Sequence, residues 1–179
     1  MSSFVFPDIY NFPPFFTLQP VVDSRSKQLE LWCDLILNYC SHNGLFLVNV
    51  GEIGETDLFF NKNIKRKVDS SFLSTIFDHL VQKGRAEYLD SQKKSLLIFF
   101  KSREQWADIL VDFVTSAGMN TSVCTVFELR QGSMTKGSPL HNVPHHIIIS
   151  AVKVLQTRGQ ATLIEDESLD DVGVKFDVK

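Results

Sequence analysis

The same pattern of apolar residues occurs twice in this sequence, once in each half. The segment WCDLILNY, which begins at Trp32, aligns with the segment WADILVDF, which begins at Trp106. A second segment, 80–86, aligns with 155–161 at nearly the same offset. Two distant segments that repeat with nearly the same offset indicate one structural unit present twice. With 179 residues the chain is long enough for two small domains.

The first copy contains two clear helices with an ambiguous stretch between them. Apolar residues at three- and four-residue spacing predict a helix over 24–40, which Gly44 ends. The polar triplet at 69–71 predicts the N-cap of a later helix, whose C-terminal end is set by Gly84. Between these helices, residues 57–67 are predicted to hold a short second helix.

Each copy ends in a predicted β-hairpin. In the first copy, residues 85–89 and 95–100 are rich in β-forming residues and flank the polar turn DSQKK. In the second copy, the corresponding strands are 161–165 and 172–177, joined by the acidic turn DESLDD. A helical core followed by a hairpin is the order of a helix-turn-helix unit with a wing. We therefore predict an α+β fold of two tandem winged-helix domains, at 23–102 and 103–179.

An arm rich in proline and aromatic residues, residues 1–22, precedes these domains. It holds four of the six prolines, which fix φ and remove a backbone donor, so an extended conformation is predicted. Stiff backbone with large aromatic side chains is typical of a segment that docks on a partner. The alternative is that the arm folds back and caps its own first domain. The candidate partner-binding residues are Pro7, Tyr10, Phe12, Pro13, Pro14, Phe15 and Phe16.

Winged helices are common in transcription factors, so nucleic-acid binding is a possible function, and the charge distribution tests it. Residues 1–102 carry 11 basic and 11 acidic side chains, and residues 103–179 carry 7 and 10. The one basic cluster is Lys65-Arg66-Lys67, and neither half has the basic excess that phosphate backbones require. A nucleic-acid-binding, transcription-associated protein is therefore kept only as the alternative function.

Catalysis, metal binding and a cofactor are not predicted. The chain has no phosphate-binding loop, nucleophile elbow or dinucleotide fingerprint. His141, His145 and His146 lie close in sequence, but a zinc site needs four well-placed ligands and capping or solvent contact explains them. Cys33, Cys40 and Cys124 have no disulfide-like spacing, and no secretory signal or membrane-spanning run is visible, so a cytoplasmic location without membrane insertion is predicted.

The segments FPPFFTLQP and DSRSKQLELWCDLILNYC closely resemble the small subunits of the endosomal sorting complex ESCRT-II. The resemblance covers essentially the whole chain. It implies a non-catalytic adaptor of two winged helices, which serves at the endosomal membrane in sorting ubiquitinated membrane proteins into multivesicular bodies.

The resemblance also implies partners for the arm and for the second domain. In that family two copies join one copy each of two larger winged-helix subunits, and PPxY-like motifs of the arm insert into pockets on them. Here one motif is matched by Pro13, Pro14 and Phe16, and the other by Pro7 and Tyr10. The second domain is implied to contact, and to help nucleate, an ESCRT-III subunit.

Overall fold

A computed structural model describes residues 3–179, and the chain divides into two compact units, Met1–Phe100 and Lys101–Lys179. The division falls just before the predicted domain boundary at 102/103. The arm, predicted as a separate segment, belongs to the first unit.

In residues 3–100 the first unit contains three α-helices, a small hairpin of two two-residue strands and an antiparallel sheet whose middle strand, Ser95–Ile98, lies between Leu47–Asn49 and Ala86–Tyr88. Asp69 caps the third helix, since its carboxylate accepts the Phe72 N–H at 2.7 Å. The Asp90 carboxylate shapes the wing turn, because it accepts the N–H groups of Gln92 and Ser95. The elements are α1 (Val22–Asn43), β1 (Leu47–Asn49), α2 (Val50–Ile53), β2 (Phe60–Asn61), β3 (Arg66–Lys67), α3 (Ser70–Gln82), β4 (Ala86–Tyr88) and β5 (Ser95–Ile98).

The short second helix was predicted in the wrong place. Residues 57–67 contain the β2–β3 hairpin, and the second helix lies earlier, at Val50–Ile53. Its N-cap is Asn49, whose side-chain oxygen accepts the N–H groups of Gly51 and Glu52 at 3.0 and 3.2 Å. A helix of this length, a single turn, is too short to produce a readable apolar period, and so the cap alone marks its start.

Between residues 101 and 179 the second unit repeats the succession of helix, strand, short helix, long helix and two wing strands, but a 3₁₀ turn at Ser133–Thr135 follows its short helix where the first unit has the β2–β3 hairpin. Its three-stranded sheet has Gly173–Phe176 in the middle, between Val123–Thr125 and Ala161–Ile164. Two capping boxes start its first two helices, Ser102 with Gln105 and Thr125 with Glu128. The elements are α4 (Arg103–Ser116), β6 (Val123–Thr125), α5 (Val126–Gln131), α6 (His145–Thr157), β7 (Ala161–Ile164) and β8 (Gly173–Phe176).

The internal repeat is confirmed by equivalent elements in the two units. Trp32 and Trp106 are both buried on the first helix of their unit, at 0% and 2% exposure. These helices end at Gly44 and Gly118, whose φ angles of 64° and 68° are left-handed and suit glycine. The buried residues of α3 recur at a constant offset in α6: Phe72, Leu73, Ile76, Phe77 and Leu80 correspond to Ile147, Ile148, Ala151, Val152 and Leu155. Each unit is a winged helix with its own core.

Candidate partner-docking surface

The arm is not a simple extended strand, because its prolines start two short 3₁₀ turns. The first turn spans Asp8–Asn11 directly after Pro7, whose carbonyl accepts the Tyr10 N–H at 2.9 Å. The second spans Pro13–Phe16, and the Thr17 N–H closes it on the carbonyl of Pro14 at 3.2 Å. Proline suits the first position of such a turn, since its φ is already helical and no N–H is lost. The predicted extended conformation is therefore corrected to two tight turns.

The second turn is anchored on Trp32 of α1 by two phenylalanines. The ring of Phe15 stacks on the indole at a centroid distance of 4.3 Å and an interplanar angle of 2°. The ring of Phe16 meets the same indole edge-on at 5.5 Å. Both side chains are only 3% exposed and belong to the core of the first unit.

A buried amide on α1, that of Gln28, fixes the backbone of the same turn. Its Nε2 donates to the carbonyls of Phe15 and Thr17 at 3.0 and 2.8 Å, and its Oε1 accepts the Gln19 N–H at 3.1 Å. The Trp32 Nε1–H donates to the same Phe15 carbonyl at 3.0 Å. Sequence reasoning missed Gln28; the signal was a polar residue four positions before Trp32, on the same face of the helix. A buried polar group with satisfied hydrogen bonds sets one conformation for the turn.

The first turn is held by Tyr10, which is 6% exposed. Its hydroxyl donates to the backbone carbonyl of Asp57, and its own carbonyl accepts from Asn61 Nδ2 at 2.8 Å. Burial, with the Asp57 carboxylate as a second cause, raises the pKa of the Tyr10 hydroxyl to about 12. Phe6 stacks on the Tyr10 ring at 4.0 Å, which extends the aromatic contacts toward the N-terminus.

These contacts show which of the predicted partner-binding residues are buried within this chain, whereas their contact with a partner stays a prediction. Tyr10, Phe15 and Phe16 were predicted to enter pockets of other subunits, but in this chain they fill the core of its own first unit. The alternative, in which the arm caps its own domain, describes these three residues. The burial of these three residues depends on the Trp32 indole and on the buried amides of Gln28 and Asn61, which lie outside the arm. No local pattern in the arm reveals these contacts.

The other four candidate residues face outward. Phe12 is 54% exposed, and Pro7, Pro13 and Pro14 are exposed as well. Phe12 lies between the two anchored turns, in extended conformation at φ −93° and ψ 108°. The arm therefore holds a rigid, solvent-facing surface of Phe12, Pro13 and Pro14, which we call the arm ridge. A preorganised apolar surface of this kind loses little entropy on binding.

Three side chains of types that bind metals or nucleic acids, one histidine and two basic residues, make contacts within the chain. His141 Nδ1 lies 3.1 Å from the Thr135 hydroxyl, and within residues 3–179 no group of three or more His, Cys, Asp or Glu side chains could hold a metal ion. Arg158, at the end of α6, pairs with Asp108 at 2.6 Å. Lys67 of the basic cluster pairs with Glu55 at 2.5 Å. No helix in this part of the chain is both long and apolar enough to cross a membrane.

The three cysteines, whose spacing predicted no disulfide, are buried and free. Burial raises the pKa of the Cys33 and Cys40 thiols to about 12 and that of Cys124 to about 11. These thiols are therefore protonated at neutral pH and are poor nucleophiles.

Comparison with known proteins identifies the family to which these features belong. A family model described as ESCRT-II complex subunit matches residues 9–144. The vacuolar protein-sorting-associated protein 25 of Danio rerio is 41% identical, over 97% of this chain and 99% of its own length. The vacuolar protein sorting-associated protein 25 of Arabidopsis thaliana is 40% identical, over 99% of this chain and 98% of its own length. A crystal structure of subunit VPS25 of the endosomal trafficking complex ESCRT-II superposes with a TM-score of 0.82 at 27% identity, covering 95% of this chain and 97% of that one. A second similar structure, with a TM-score of 0.79 at 27% identity, covers 95% of this chain and 98% of that one, and is of the complex VPS22/VPS25/VPS36.

Proposed function

Because this chain belongs to the family of ESCRT-II complex subunits, we propose that it is a non-catalytic assembly subunit of ESCRT-II. In this role it takes part, at the endosomal membrane, in sorting ubiquitinated membrane proteins into multivesicular bodies. The nearly full-length coverage of relatives named for vacuolar protein sorting supports the proposal. The solved complex that contains VPS22 and VPS36 supports two larger subunits as partners.

The first domain and its arm bind the larger subunits, and two copies of this chain join one copy of each. The observation that carries this assignment is the arm ridge, where Phe12 is 54% exposed between two turns anchored on the domain. Exposed aromatic residues with restricted backbone are frequent energetic anchors of interfaces. Pro7, Pro13 and Pro14 extend the contact, and Tyr10, Phe15 and Phe16 act indirectly by holding the ridge in place.

The second domain, at 103–179, is the adaptor that recruits and helps to nucleate ESCRT-III. Its own core and its exposed apolar side chains, Val123 at 60% and Phe127 at 46%, support a binding role separate from the arm. Its acidic balance of 10 to 7 disfavours phosphate backbones as its ligand.

Co-assembly with the two larger ESCRT-II subunits tests the role of the arm ridge. Loss of an aromatic anchor from an interface costs about 2 kcal/mol, so Phe12→Ala should weaken co-assembly at least about tenfold. The matched control is Phe127→Ala, another half-exposed phenylalanine, which lies in the second unit. Affinities are measured by titrating the immobilised larger subunits with each variant.

Two results would contradict this assignment. One is equal affinity of Phe12→Ala and wild type for the larger subunits. The other is an equal loss of affinity in Phe12→Ala and Phe127→Ala, since the effect would then not be specific to the arm.

A further inference from the structure

The duplicated fold allows one surface to be compared in both units, namely the groove between the first helix and the segment after the second helix. In the first unit the start of the arm occupies this groove. The rings of Phe4 and Phe6 lie 5.2 and 6.1 Å from the ring of Tyr39 on α1. On the other side of the groove, the Tyr10 hydroxyl binds the Asp57 carbonyl.

Backbone hydrogen bonds establish which residues of the second unit are equivalent. After the first helix of the first unit, the Leu45 N–H binds the Cys40 carbonyl at 2.8 Å. After the first helix of the second unit, the Met119 N–H binds the Val114 carbonyl at the same distance, 2.8 Å. Tyr39, which precedes Cys40, therefore corresponds to Phe113.

The opposite wall of the groove is matched in the same way. Beyond the second helix of the first unit, the Phe59 N–H binds the Thr56 carbonyl at 3.1 Å. The N-caps of the second helices, Asn49 and Thr125, are 76 positions apart, and at the same offset the Thr135 N–H of the second unit binds the Gly132 carbonyl, also at 3.1 Å. The two residues enclosed by each bond correspond in order, so that Asp57 and Leu58 match Ser133 and Met134.

In the second unit this groove is open. Phe113, Ser133 and Met134 line a cavity of about 410 Å³ together with Met119, Val123 and Leu129. Met134 is 61% exposed, whereas its counterpart Leu58 in the first unit is 0% exposed. The same surface is therefore covered by aromatic residues of the arm in one unit and is exposed in the other.

We propose that the open groove of the second unit binds a peptide segment of a partner protein that carries two aromatic residues two positions apart, followed four positions later by a tyrosine. The contacts of Phe4, Phe6 and Tyr10 in the first unit define this pattern. In an extended chain, residues two positions apart face the same side, so both rings can contact Phe113. The tyrosine hydroxyl would bind the backbone carbonyl of Ser133, as Tyr10 binds that of Asp57.

Charge and competition restrict the occupant further. Among the described residues that line the cavity, Glu128 is the one with a charged side chain, and residues 103–179 are acidic overall, so the segment is neutral or basic. The arm of a second copy is disfavoured, because it would have to leave its own unit, where Tyr10 is 6% exposed. The inference does not depend on whether the arm ridge binds the larger ESCRT-II subunits.

The test uses the full chain and a fluorescent peptide of residues 3–12 with the substitution Asp8→Asn, which keeps the required aromatic pattern and removes the one charged side chain of this segment. Fluorescence anisotropy should show saturable binding, weakened at least about tenfold by Met134→Glu. The matched control is Ile164→Glu, which places the same charge at a 48% exposed apolar position of the same unit and should bind like wild type. A peptide with alanine at the three aromatic positions 4, 6 and 10 should not bind.

Three outcomes would overturn the proposal. The first is no binding of the peptide by the wild-type chain, and the second is binding that Met134→Glu leaves unchanged, which places the peptide elsewhere. The third is a concentration-dependent dimer of the chain that Met134→Glu abolishes, since the occupant would then be a second copy.

Discussion

Neighbouring aromatic residues of the arm have opposite roles, and their environment rather than their residue type decides which. Phe12 is 54% exposed, while Phe15 and Phe16, three and four positions later, are 3% exposed. The difference comes from Trp32 and Gln28, which bind the Phe15 carbonyl and draw the turn onto α1. Partner contact is therefore expected from Phe12 and stability from Phe15 and Phe16.

At the same scale, the buried Tyr10 hydroxyl predicts a loss of stability at high pH. Its pKa in the folded chain, about 12, lies above the usual value of 10.0. Between these values the unfolded chain loses the proton and the folded chain keeps it, so the stability contributed by this group is complete below the usual value and falls as the pH rises.

Chemical unfolding of wild type and Tyr10→Phe from about pH 8 to about pH 11 measures this contribution. We expect the free energy of unfolding to fall less steeply in Tyr10→Phe, because this variant lacks the Tyr10 hydroxyl. Other groups that ionise at high pH, such as Cys33 and Cys40, are common to both proteins and cancel in the comparison. At neutral pH the variant should be less stable by about 1 kcal/mol, the usual contribution of one hydrogen bond. Parallel pH profiles would refute the role given to Tyr10.

Among the elements, length and locality separate what the sequence could predict from what it could not. The helices α1 and α3, of 22 and 13 residues, show a full apolar period, and the wing strands lie beside polar turns. The two-residue strands β2 and β3 and the single-turn helix α2 carry no such signal. The arm turns depend on partners far along the chain, such as Asn61 for Tyr10, and no local pattern contains them.

For the candidate site, the sequence predicted the segment involved but not which of its side chains face inward. Proline and aromatic composition predicted a binding role for the arm, which stays a prediction, and Phe12, Pro13 and Pro14 face solvent. Which aromatic residues face inward depends on contacts with α1 and with Asn61, so the burial of Tyr10, Phe15 and Phe16 in this chain was not predictable from the arm alone.

The packing of the arm on α1 predicts that Phe16 contributes to the stability of the chain. Truncation of a fully packed phenylalanine leaves a cavity beside Trp32, so Phe16→Ala should lower the free energy of unfolding by about 3 kcal/mol. The matched control Phe12→Ala should change it by less than about 0.5 kcal/mol. Urea unfolding of the isolated chain measures both. Equal stability of Phe16→Ala and wild type would mean that the arm does not pack on α1.

For the whole molecule, two winged helices with separate cores share one plan, and the first carries an arm that the second lacks. That asymmetry supports different duties for the units: assembly through the first and recruitment through the second. We propose binding roles for both units, and each carries exposed apolar side chains, among them Phe12 in the first unit and Met134 in the second.

The mass of the assembled complex is the direct test of the proposal that this chain is an assembly subunit of ESCRT-II. The chain, of 20.3 kDa, is mixed with the two larger ESCRT-II subunits, and the product is weighed by native mass spectrometry. If this chain is an assembly subunit of ESCRT-II, the spectrum should show one complex with one copy of each larger subunit and two copies of this chain. A chain that stays at 20.3 kDa, while the larger subunits associate without it, would contradict the claim.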